Sequence, residues 1–119
     1  MKITESTTPR EVFDFVARHL LTQAESATDG NGNCMYRAPN GCKCAIGALL
    51  DDEDYGRIEE GYGIGRVVEA LGWPRALKPL MRDLQMAHDC LGPASWSGSL
   101  RRIGEAYGLN TEVLNEFGG

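Results

Sequence analysis

The chain has 119 residues, with 17 acids against 12 lysines and arginines for a net charge of −5, and four cysteines. That length suits a single domain over residues 1–119 that removes roughly 65% of the unfolded surface from water, and no apolar run approaches the ~20 residues of a membrane span. The opening MKITESTTPREVFDF lacks the apolar core of a signal peptide, so the expectation is a cytoplasmic protein with reduced thiols, no membrane and no disulfide framework.

The first element is written clearly. Thr8-Pro9-Arg10-Glu11 is a capping box with proline at the first helical position, where its missing N–H costs nothing. Val12, Phe13, Val16, Leu20, Leu21 and Ala24 then recur at helical spacing up to the polar break TDGNGN. His19 falls off that stripe and reads as a solvated surface residue. The break imitates the start of a calcium loop, but Cys34 stands where the loop needs its glycine and Asn40 where it needs a bidentate Glu.

Residues 34–44 suggest a hairpin, because CMYR and CKC flank APNG, whose Asn-Gly favours a tight turn. A loop of two or four residues puts Cys34, Tyr36 and Lys43 on one face, with Met35, Arg37, Cys42 and Cys44 on the other. Only an odd loop length gathers the thiols, and Cys-x7-Cys-x-Cys is unlike the paired spacing of structural zinc sites. No metal and no cofactor is expected.

AIGALL follows as a short, wholly apolar helix in which Gly47 lets another element approach closely. Six acids, Asp51, Asp52, Glu53, Asp54, Glu59 and Glu60, then face Arg57 alone. Such a block repels phosphate backbones, which argues against general DNA or RNA binding. EEGYGIGRVVEALG carries alternate glycines into a helix over 64–71 closed by Gly72, and its dinucleotide fingerprint is incomplete. Leu80, Leu84, Ala87 and Leu91 stripe the next helix with His88 at their inner edge; neighbours on a helix point about 100° apart, so Asp89 is not expected to orient His88. Ser95 can cap a helix holding Trp96, Leu100, Ile103 and Tyr107, and Asn110 starts a short tail helix. The fold class expected is therefore mainly α, five or six helices around one small β-hairpin.

The order CMYR, KCAIGALL, Tyr55, EEG, LQMAHD, Trp96 and YGL resembles a family of short uncharacterised proteins found in bacteriophages and bacteria. Cys34, Tyr36, Arg37, Lys43, Cys44, Tyr55, Gly61, His88, Asp89 and Trp96 match its pattern, while Cys42 and Cys90 depart from it. The resemblance covers about two thirds of the chain and implies a phage or prophage accessory protein in a bacterial host cell. On that footing the expected function is non-enzymatic binding of a small anionic ligand, such as a signalling nucleotide of host defence that is sequestered. The site is expected where the hairpin meets the helix of His88, with Arg37 and Lys43 supplying charge, Tyr36, Tyr55 or Trp96 supplying stacking, and a homo-oligomer completing it. Two alternatives stand beside it: an interaction module that occupies a basic surface of a host protein with its acidic loop, and a cysteine enzyme with Cys44 as nucleophile and His88 as base.

Overall fold

The computed structural model describes residues 1–90 and 92–117. Among them are six α-helices: α1 (Pro9–Gln23), α2 (Ala45–Leu49), α3 (Asp52–Tyr55), α4 (Ile64–Leu71), α5 (Lys78–Cys90) and α6 (Trp96–Ala106), with 3₁₀ turns before α5, before α6 and over Glu112–Phe117. The expectation of a mainly α single domain holds. Among the described residues, no helix is long and apolar enough to cross a membrane.

Local chemistry sets most boundaries. Thr8 accepts from the Glu11 N–H while the Glu11 carboxylate accepts from the Thr8 N–H, closing the capping box. Gly72 ends α4 in the left-handed conformation (φ 68°). Asn110 starts the tail by accepting from the Glu112 N–H, whereas Ser95 makes no side-chain cap for α6 and instead closes a 3₁₀ turn.

α1 is the central post, packing against α2, α5, α6 and the C-terminal turn. Its buried face is Val12, Phe13, Val16, Ala17 and Leu20; of the stripe read from the sequence, Leu21 is half-buried and Ala24 is the exposed, left-handed C-cap. α2 is buried along its whole length, as an apolar run without a polar face must be. Its Gly47 is required: a Cβ there would lie 1.9 Å from the Tyr36 carbonyl oxygen. Leu80, Leu84 and Ala87 of α5 turn into the same core; Leu91, assigned to that stripe by spacing, lies outside the described residues.

The hairpin is reduced to isolated bridges, Thr28 to Cys34 and Arg37 to Lys43. Ala38 N–H donates to Cys42 and Cys44 N–H to Tyr36 across the second bridge, so the connection is the odd, three-residue one, Pro39 to Gly41. This reverses the expected alternation: Arg37 and Lys43 sit directly opposite one another, which puts their side chains on the same face. The thiols still do not gather, because Cys42 and Cys44 are buried and Cys34 is exposed. α1 sets this register. Gln23 accepts from the Lys43 N–H, and both Gln23 and His19 reach the Lys43 carbonyl. His19 is thus half-buried rather than solvated, and burial lowers its pKa.

Candidate functional site: a cleft between the hairpin and α5

A cleft of about 280 Å³ opens where residues 34–36, residues 60–64 and the α5 face from Arg82 to Asp89 meet. Two carboxylates build its walls. Glu60 accepts from the Tyr36 N–H (2.8 Å), the Arg37 N–H (3.1 Å) and the Tyr55 hydroxyl (2.6 Å), which pins the hairpin to the loop after α3. The Tyr36 hydroxyl adds a bond to the Tyr62 carbonyl, and burial pushes that phenol up to about 12. Gly61 turns the chain with φ 94°, a conformation open mainly to glycine. Gly63 then caps α4 without a side chain, and the N–H groups of Ile64 and Gly65 make no hydrogen bond among the described residues.

The second carboxylate is Asp89, and the structure corrects the expectation that it is poorly placed to orient His88. His88 Nδ1 lies 2.8 Å from Asp89 Oδ1, and His88 Nε2 lies 3.0 Å from the backbone nitrogen of Ala27. A backbone N–H only donates, so Nε2 must be the acceptor, and the ring proton sits on Nδ1, donated to Asp89. Gln85 donates to the same carboxylate oxygen (2.7 Å) while accepting from the Ile46 N–H, and the Cys34 thiol is a third donor. Burial pushes Asp89 up, yet the bonds from His88, Cys34 and Gln85 outweigh it and hold the carboxyl below its usual range. The imidazole itself is 1% exposed and stacks on Trp96 with centroids 5.3 Å apart.

This arrangement bears on two kinds of chemistry. One donor atom each from Cys34, His88 and Asp89 lies within 4.8 Å of the others, the residue types of a zinc site. Neutral imidazole that ligates through Nδ1 must carry its proton on Nε2, where it would meet the Ala27 N–H donor head-on. Moreover, two ligands at ~2.1 Å from a tetrahedral ion stand about 3.4 Å apart, wider than the 2.8 Å between His88 and Asp89. The trio is a hydrogen-bonded strut. Base catalysis by His88 meets the same obstacle, because the lone pair a base would use is held by Ala27. The thiols are not activated either: desolvation raises Cys34 to about 11 and Cys44 to about 12. Cys44 is wholly buried and uses its sulfur as the N-cap of α2, accepting from the Gly47 N–H.

The residues singled out in the sequence are dispersed by the fold. Tyr36 lines the cleft, and His88 stands behind Asp89 at its wall. Arg37 is turned away, pairing with Asp52 at 2.8 Å, donating to the Leu50 carbonyl, and lying 4.4 Å over the Tyr55 ring, so that Arg37 and Tyr55 occupy each other. Trp96 is fully buried. Lys43 does not line the cleft. The cation that does is Arg82, an exposed α5 residue with no salt bridge among the described residues. Its signal in the sequence was its distance from His88 and Asp89, within two turns on one helix, and Gln85 shares it.

No protein-family model matches this chain, and neither a curated protein nor a solved structure matches it significantly.

Proposed function

We propose that the protein is a non-enzymatic binder of a small anionic ligand of mononucleotide size, held in the cleft between the hairpin and α5. One observation carries this reading. The Arg82 guanidinium and the uncapped N-terminal turn of α4 border the same cavity as the donor-loaded carboxylates of Asp89 and Glu60. A phosphate pairs with a guanidinium and with free N–H groups at a helix start, and ribose hydroxyls or base amines donate to the carboxylates. Tyr36 and Tyr62 offer aromatic surface between the two. A volume of 280 Å³ falls just below the ~300–1,000 Å³ usual for ligand pockets, which limits the occupant to about one nucleotide.

Taken with the resemblance to short phage and bacterial proteins, the reading extends to an accessory protein that sequesters a signalling nucleotide in the host cytoplasm. The interaction-module alternative has less support, because three of the six acids are engaged within the fold. Asp51 caps α3, Asp52 pairs with Arg37, and Glu60 holds the hairpin.

The test is a thermal-shift series with nucleoside 5′-monophosphates, cyclic mononucleotides and inorganic phosphate. A ligand at 100 times its Kd stabilises by about 2.7 kcal/mol, and Arg82→Ala should erase that shift while leaving the unliganded Tm unchanged. No shift from any of these compounds, or a shift indifferent to Arg82→Ala, refutes the assignment.

A further inference from the structure

Between α5 and α6 lies a second concavity, a groove of about 390 Å³. Its floor is apolar: Met86, Ala87, Cys90, Ile103, Ala106 and Tyr107. Met86 is 53% and Tyr107 37% exposed, and they are two of the four exposed large hydrophobic residues among those described. An apolar groove with aromatic and methionine rims marks an association surface.

We infer that this groove is the interface of a two-fold homodimer, α5 of one copy resting on α6 of the other. The charges on its walls select a second copy over an unrelated partner. Asp83 stands on the α5 wall and Arg102 on the α6 wall, so the groove carries one charge of each sign and is its own complement. A two-fold axis along the groove exchanges the walls and sets the Asp83 wall of each copy against the Arg102 wall of the other. Both groups are held ready. The Tyr107 hydroxyl fixes one Asp83 oxygen at 2.6 Å, and the exposed Arg102 donates to Ser99 Oγ at 3.2 Å. An interface of ordinary size takes roughly 800 Å² per partner, about an eighth of the 6292 Å² accessible surface.

Sedimentation velocity over a concentration series tests this with the full chain. Wild type is expected to dimerise reversibly. Asp83→Arg and Arg102→Asp should each weaken the dimer by about tenfold or more through like-charge opposition, and the combined reversal should restore it, because the exchanged walls are again complementary. Circular dichroism of each variant separates a lost contact from a lost fold, and rescue by the double variant is a result misfolding does not give. A monomer at every concentration, or a dimer indifferent to both single reversals, overturns the inference.

Discussion

Replacing Gly47 with alanine tests the packing logic with a sign as well as a size. In an ordinary helix interior, Gly→Ala stabilises by roughly 0.5–1 kcal/mol, since glycine loses the more backbone freedom on folding. Here the added methyl would stand 1.9 Å from the Tyr36 oxygen and 2.7 Å from its carbonyl carbon, where ordinary contact begins at 3.4 Å. Relief therefore needs a displacement of about 1.5 Å from those figures. The obstacle is main chain rather than a side chain that could swing away. The strand that must move is tied by the Cys44 N–H to the Tyr36 carbonyl and by Glu60 to the Tyr36 and Arg37 N–H groups. Overpacking of this kind costs about 1–3 kcal/mol, and a weakened hydrogen bond adds ~1 kcal/mol, so the expected loss is about 3 kcal/mol. For a domain of this length that lowers Tm by roughly 10 °C. Urea unfolding followed by circular dichroism, with Gly98→Ala inside α6 as a control whose Cβ meets only the Arg102 side chain at an ordinary 3.7 Å, measures it. Unchanged or raised stability in Gly47→Ala would refute the reasoning.

Two further predictions concern the polar cluster and the thiols. Asp89 is held below its unfolded pKa by its donors, so its stabilising effect is present above about pH 4 and fades as pH falls through the folded value; the Tm gap between wild type and Asp89→Asn should accordingly narrow from pH 7 to pH 3, and a gap independent of pH contradicts the strut. With Cys34 and Cys44 raised to about 11 and about 12, alkylation of both at neutral pH should be slower than that of an ordinary thiol with pKa ~8.5. A fast, His88-dependent cysteine would instead revive the enzyme alternative.

What was legible in the sequence is what short-range chemistry decides. The capping box at Thr8, the left-handed stop at Gly72 and the 3.6-residue stripes act within a turn or two, and the helices appear where they point. The hairpin register was not legible. Asn40-Gly41 announces a turn, but the length of that turn is set by Gln23 and His19 of α1 gripping Lys43, some 20 residues earlier in the chain. The roles of charged residues were hidden for a similar reason. Arg37 looked available because Asp52 and Tyr55, which occupy it, are brought to it only by the fold, and Glu60 looked like one more member of an acidic run. The adjacency of His88 and Asp89 misled in the opposite direction: Cα directions 100° apart do not prevent an aspartate from curling back to a ring nitrogen.

Glu60 has a consequence for how this chain avoids others of its kind. A short extended segment with unpaired N–H groups is a template on which another chain can add a strand, and proteins cover such edges with charge or with other elements. The bridge between Arg37 and Lys43 is too brief to form a sheet, yet Tyr36 and Arg37 do not present open donors, since a single carboxylate, 24 residues after the first and 23 after the second, takes both. The glutamate thus does the work of a neighbouring strand while adding a negative charge that another strand would have to displace. With alanine at that position the segment becomes an exposed β edge, and self-association through residues 34–38 becomes the principal hazard of the fold.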